Sequence, residues 1–345
     1  MSNKATASMS AVRLHGKRDL RIEQIPHPGR PGTGEVLVRI AAVGVCGSDV
    51  HTYVDGQIGD TRLESPVILG HEFAGIVEEV GPGCFDGEHH PLQAGALVAI
   101  DPAQSCGHCQ HCERGNPNFC ENLKFCGLWP DDGALCQYMR VPARTCFALP
   151  PGTDPAIGAM LETFGIAIHT IDLSRIRVGS RVAVIGAGPV GLCVAQQAKA
   201  AGAEVFITDL LPWRTKLAVK LGMQDLKAHG ADLKSVDVAI ECANAGPALQ
   251  QAADLVRPGG TLVNAGISGD DRFELRHSTI RRKGLTIMCV RRMKLTYPRA
   301  IRLWQNGQVD LTSLISHRCP LAKTPEAFRM NAAYEEPVVK IIVEP

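Results

Sequence analysis

Along the chain, short apolar runs alternate with glycine- and proline-rich breaks. The clearest element is residues 180–209, SRVAVIGAGPVGLCVAQQAKAAGAEVFITD. RVAVI, residues 181–185, is a continuous apolar run of the kind that forms a buried parallel strand. A helical stretch then runs to about Ala201, and a second apolar run, residues 205–207, ends at Asp209. Further runs at 236–240, 259–263 and 286–290 predict the remaining strands of one sheet. Before residue 165 the pattern changes. Runs at 36–40, 73–80 and 96–100 are separated by turn residues, and no long amphipathic helix appears before about residue 155, so this part reads as β-rich. Near the C-terminus, residues 298–303 and 324–331 predict helices, 317–321 a turn, and 338–343 a strand that pairs back onto the first domain.

Between the first strand and helix of the parallel sheet lies Gly186-Ala187-Gly188-Pro189-Val190-Gly191, with Asp209 23 residues after the first glycine. A GxGxxG in that setting is a dinucleotide turn. Gly186 permits the bend, Gly188 lets a pyrophosphate approach the backbone, and Gly191 lets helix and strand pack closely. Free N–H groups at the helix start face the phosphates. Asp209 accepts from a ribose 2′-hydroxyl and repels a 2′-phosphate, which favours NAD over NADP. The turn announces a bound dinucleotide and is silent about what is oxidised.

The chain has 345 residues, enough for about two domains. Its net charge of +1 gives no broad attraction to nucleic acid, and the basic runs at 281–283 and 291–294 are local. No 18-residue apolar run predicts a membrane span, and residues 1–16 have no signal-peptide core, so a cytoplasmic location is expected. Thirteen cysteines in that setting point to metal binding and reduced thiols rather than disulfides.

Cys46-Gly-Ser48-Asp-Val-His51 is followed by Gly70-His71-Glu72. Thiolate, imidazole and carboxylate are the ligand types of a catalytic zinc; taken singly, Cys46 and His71 could equally be a buried thiol and a core histidine. Cys106, Cys109, Cys112 and Cys120 have the spacing C-x2-C-x2-C-x7-C. Four thiolates so close form a closed structural zinc site, in a lobe of about residues 104–122. An iron–sulfur cluster and a redox disulfide are the competing readings. His108 and His111 are expected to point outward.

These motifs together resemble the zinc-dependent medium-chain alcohol dehydrogenases over nearly the whole chain, and within them the sorbitol (polyol) dehydrogenases. Phe125-Cys126, residues 130–133, Leu135-Cys136, residues 147–150, Thr296, Pro298, His317-Arg318 and Pro320-Leu321 carry the narrower likeness. The resemblance implies an α/β protein. A GroES-like β-rich catalytic domain spans residues 1–165, and a doubly wound parallel-sheet Rossmann domain spans 166–299. Residues 300–345 return to the first domain, with the pocket in the cleft between the two. It implies two zinc ions, one catalytic and one structural, with NAD as hydride acceptor. Cys46, His71 and Glu72 carry over as catalytic zinc ligands. Glu162 carries over as the second glutamate that ligates the zinc or holds its water; which glutamate is the third ligand stays open. The family has Glu-Pro there and this chain Glu162-Thr163; an acid at a helix start, favoured by the macrodipole, is the other reading of Glu162. Ser48 and His51 carry over as a proton relay. Arg214 falls near the adenosine, and Ala265, Gly266, Ile267 and Val290 line the nicotinamide side. Thr52, Phe125, Glu162 and Arg292 fall in the substrate pocket. Two phenol donors of the polyol enzymes are absent, replaced by Thr52 and Met293, which should alter specificity.

The expected reaction is oxidation of a polyol or other secondary alcohol to the ketone. A 3-hydroxy amino acid dehydrogenase of the L-threonine 3-dehydrogenase type shares the ligand set and is the alternative. A zinc module on nucleic acid is disfavoured by the near-zero charge, and a catalytically silent relative by the retained ligands. A homodimer or homotetramer is expected. Only 13 residues separate Gly222 from Val236, so the Rossmann domain is shortened there.

Overall fold

The computed structural model describes residues 8–229, 235–269, 272–335 and 337–345. The chain divides into two compact units, Met1–Glu162 with Ile315–Pro345, and Thr163–Leu314.

The first unit is built on a seven-stranded, largely antiparallel sheet. Its spine is the pair Glu35–Gly44 and Glu72–Val80, joined antiparallel from Val36 opposite Val80 to Gly44 opposite Glu72. This pairing brings the end of the first strand beside the start of the second, where the His71-Glu72 dipeptide sits. The strand Lys340–Glu344 joins the same end, with Val343 opposite Val43. It closes the sheet together with Ile315–Pro320, which runs parallel to it. Apolar residues of these strands, among them Val38, Ile40, Phe73 and Ile341, fill one core together with Ile100 and with Phe328 of the helix Thr324–Ala333.

The second unit is a six-stranded parallel sheet. In spatial order it runs Gln224–Asp225, Glu204–Thr208, Arg181–Ile185, Val236–Glu241, Val256–Asn264 and Thr286–Cys289. The order reverses beside the first strand in sequence, the point at which doubly wound sheets bind nucleotides. The strand Arg181–Ile185 is buried from Val182 on, as its unbroken apolar run requires.

One expectation is corrected, and the bounds of the two compact units differ from those read in the sequence. Residues 317–321 are not a turn: most of them belong to the strand Ile315–Pro320, whose exposure alternates residue by residue. The polar residues Ser316 and Arg318 on the exposed side hid that period of two. The chain re-enters the first unit at Ile315, not at residue 300, because the helix Tyr297–Gln305 and the turn Thr312–Leu314 stay with the second unit. The first crossing falls at Glu162/Thr163, against 165/166 expected from the sequence. The short passage after Gly222 holds a two-residue strand and the four-residue helix Leu226–His229. Among the described residues one helix, Pro155–Ser174, is long and apolar enough to cross a membrane, but 83% of its apolar window is buried within the protein, as in a core helix.

Candidate active site and dinucleotide turn

Cys46 caps the helix Gly47–Asp55, and the Asp49 carboxylate returns to accept the Cys46 N–H at 3.1 Å. His71 and Glu72 come from the start of the neighbouring strand. One donor atom each from Cys46, His71 and Glu72 lies within 4.8 Å of the others. Asp49 Oδ1 stands 3.3 Å from His71 Nδ1. That contact orients the imidazole and leaves Nε2 to face a metal, the usual arrangement of carboxylate behind a ligating histidine. Burial disfavours a positive charge on His71, yet Asp49 and Cys46 outweigh it and hold its pKa well above the usual range. A pocket that concentrates negative charge on soft and borderline donors fits a divalent zinc.

Glu162 lies in the interior of the helix Pro155–Ser174 and is buried, so it is no helix-start acid. Burial pushes its carboxyl up to about 8, with His71 opposing and Glu72 reinforcing the shift. The site also holds a group that motif reading did not single out. Lys340 is buried, and its ammonium donates to both Glu72 oxygens, at 2.6 and 2.5 Å. Among the described residues it is the only fully buried lysine or arginine. Gly44 makes room for this pair, since a Cβ there would fall 2.1 Å from Glu72 Oε2. A signal for Lys340 exists in the sequence: one charge inside the apolar run VVKIIV. Asp49 had one too, an acid one helical turn past Cys46.

Ser48 Oγ is 3.4 Å from His71 Nε2. Ser48, His51 and Asp55 share one face of their helix, and His51 Nδ1 is 3.6 Å from the exposed Asp55 carboxylate. Thr52 is buried, but its hydroxyl donates to the Ser48 carbonyl at 3.0 Å, so its proton is already used within the helix. The Phe125 ring lies 5.5 Å from that of His71. Arg292 belongs to the second unit, where its backbone is left-handed with φ 56°.

Cys106, Cys109, Cys112 and Cys120 bring their sulfurs within 4.8 Å of one another, while His108 and His111 lie outside the set. Backbone N–H groups, that of Cys112 foremost, hold the Cys109 thiol down to about 6; burial pushes Cys112 up to about 11. N–H groups aimed at sulfur are the surroundings of a tetrathiolate zinc site.

In the second unit the glycine turn has the required shape. Gly186 has φ 103°, and a Cβ on Gly191 would fall 1.9 Å from the Gly186 oxygen. A Cβ on Gly188 would meet nothing nearer than Arg214 Nη1 at 3.8 Å, so that face is open to a ligand. Pro189 and Val190 begin the helix Pro189–Ala200. Asp209 ties the turn together, accepting the Ala187 N–H at 2.7 Å and the Leu211 N–H at 2.8 Å. Ala265 and Gly266 donate to the Glu241 carbonyl, and Val290 to that of Asn264. Gly266 and Ile267 line a cavity of about 250 Å³ with Glu241 and Asn244. The Glu241 carboxylate fixes this wall by accepting from Ala243 and Asn244, a role unmarked in the sequence pattern.

Two family models match the chain: an alcohol dehydrogenase GroES-like domain at residues 32–151 and a zinc-binding dehydrogenase at 189–306. Sorbitol dehydrogenase of Bacillus subtilis (strain 168) is 33% identical over 358 residues, covering 100% of this chain and 99% of its own. The structure of 2R,3R-butanediol dehydrogenase from Bacillus subtilis matches with a TM-score of 0.86 and 30% identity, covering 98% of this chain and 100% of that one. A protein of Escherichia coli CFT073 named as a short chain alcohol dehydrogenase, complexed with the cofactor NADH, matches with a TM-score of 0.88 and 26% identity, covering 98% of this chain and 100% of that one.

Proposed function

Because the chain belongs to the zinc-dependent medium-chain alcohol dehydrogenases, we propose that it oxidises a polyol or vicinal diol at a secondary carbon, with NAD as acceptor. The observation that carries this is the donor set of half-buried Cys46 with buried His71 and Glu72, with Asp49 behind the imidazole.

Cys46 and His71, with Glu72 or Glu162, would hold the metal. When bound, zinc supplies Lewis-acid polarisation of an alcohol oxygen, and NAD supplies the hydride acceptor. The chain's own residues do the rest. Asp49 fixes the His71 ring. Lys340 offsets the charge of Glu72 and steers its carboxylate. Ser48 takes the proton released by the substrate hydroxyl, and His51, on the same helix face and partly exposed, passes it to solvent. Phe125 forms an apolar wall beside His71 that favours the carbon chain of the substrate. Gly186, Gly188 and Gly191 accept the pyrophosphate and Asp209 the ribose. Arg292 is the substrate-hydroxyl donor of this reading. With Met293 and Thr52 in place of phenol donors, we expect a broader or shorter substrate than sorbitol.

We also place the protein in the cytoplasm as a homodimer or homotetramer. Among the described residues Thr286–Cys289 ends its sheet with Ile287 and Cys289 exposed, which supports an assembly through that edge.

An initial-rate screen over tetritols, pentitols, hexitols, cyclitols, diols and L-threonine, with NAD, tests the function. Turnover confined to polyols or diols supports it. Turnover confined to L-threonine would replace it with the amino-acid reading.

A further inference from the structure

The strands Glu204–Thr208 and Gln224–Asp225 run parallel, with Ile207 opposite Asp225. Their carboxyl ends open on the same side of the sheet, the side on which such sheets bind nucleotides. Asp209 follows the first strand, and the helix Leu226–His229 follows the second. The shortened passage thereby brings Lys227 back to the ribose acid. Its Nζ donates to the Asp209 main-chain oxygen at 2.8 Å, and the residue is exposed. Arg214 also flanks the acid: Nη1 is 3.8 Å from Asp209 Oδ2, and the guanidinium lies over the Trp213 ring at 5.1 Å. The carboxylate itself is engaged by the N–H groups of Ala187 and Leu211. The Asp209 carboxylate therefore has two backbone donors and a guanidinium beside it, and the Lys227 ammonium stands at the carbonyl of the same residue. A bare acid here would repel a ribose 2′-phosphate; this one stands in a positive setting.

We propose that Lys227 is a cofactor-selecting residue, and that with Arg214 it lets this chain accept a 2′-phosphorylated dinucleotide as well as NAD. The proposal rests on the assignment of the glycine turn and Asp209 to dinucleotide binding. A phosphate monoester carries nearly two negative charges near neutral pH and accepts charge-assisted hydrogen bonds from ammonium and guanidinium groups. A neutral 2′-hydroxyl gains far less from a solvent-exposed ammonium. Lys227 therefore acts on the difference between the two cofactors.

Two fragments that differ only in the 2′-phosphate, adenosine 2′,5′-bisphosphate and adenosine 5′-monophosphate, isolate that difference. Their dissociation constants are measured by calorimetry on the zinc-loaded enzyme, wild type, Lys227→Gln and Lys227→Arg. The wild type should bind the bisphosphate at least as tightly as the monophosphate. In Lys227→Gln the ratio of the two affinities should shift against the bisphosphate by about tenfold. Lys227→Arg should restore most of the ratio, and the kcat/KM ratio of NADP to NAD should move in parallel. A wild type that binds the monophosphate more tightly than the bisphosphate would overturn the proposal. So would a Lys227→Gln variant that weakens both fragments equally, since Lys227 would then only satisfy a strand-end carbonyl. Binding of neither fragment would instead remove the dinucleotide assignment itself, whatever the polyol screen returned.

Discussion

Replacing Lys340 by methionine separates the buried ion pair from the metal set. The methionine keeps an unbranched side chain, one atom shorter, and removes the charge. Glu72 would then keep a carboxylate that is 1% exposed, with both oxygens deprived of the ammonium now 2.6 and 2.5 Å away. Removing one partner of a buried pair costs about 3–5 kcal/mol, because the other charge is left uncompensated. For a unit of this size each kcal/mol lowers the unfolding midpoint by about 2–4 °C, so a fall of roughly 6–20 °C is expected. The double variant Glu72→Gln with Lys340→Met removes both charges, and its loss should be much smaller than that of Lys340→Met alone. Thermal unfolding of wild type, Glu72→Gln, Lys340→Met and the double variant, followed by circular dichroism, measures this. A Lys340→Met midpoint within about 1 °C of wild type would refute the account of the pair. A double variant as unstable as the sum of the singles would refute it as well.

Other outcomes follow from the same geometry. Cys109→Ser should release one zinc per chain and lower the unfolding midpoint by roughly 5 °C or more, read by metal analysis and calorimetry. Gly191→Val should push against the Gly186 oxygen and raise KM for NAD by at least about tenfold, read from initial rates. The Arg318 guanidinium holds Asp154 below its ordinary value of 3.8. A carboxylate with a lowered folded pKa stabilises fully above its unfolded value and loses that contribution as pH falls through the folded one. Asp154→Asn should thus cost about 0.5–1 kcal/mol at neutral pH, both side chains being some 40% exposed, with the gap closing in acid. Urea unfolding across pH checks the sign.

The parallel sheet was legible because its strands are continuous apolar runs punctuated by glycine, and the metal donors because they lie in short local motifs. Cys46 and His71 are 25 positions apart, yet each lies in a short motif of its own, residues 46–51 and 70–72. Lys340 was missed for the opposite reason: its partner Glu72 is 268 positions away, and only the closing of the sheet brings them together. The strand Ile315–Pro320 escaped because half of its residues face solvent, which blurs a short alternation. Thr52 was expected in the substrate pocket, and helical geometry commits its proton to the Ser48 carbonyl. Lys227 was invisible because its contact depends on a strand of two residues.

The most direct test is zinc content measured beside polyol oxidation with NAD, in wild type and Cys46→Ser. The wild-type chain should hold about two zinc ions and the variant about one, in the four-cysteine lobe, with turnover lost by at least about a thousandfold. A Cys46→Ser protein that keeps both metals, or keeps its turnover with one, would contradict this.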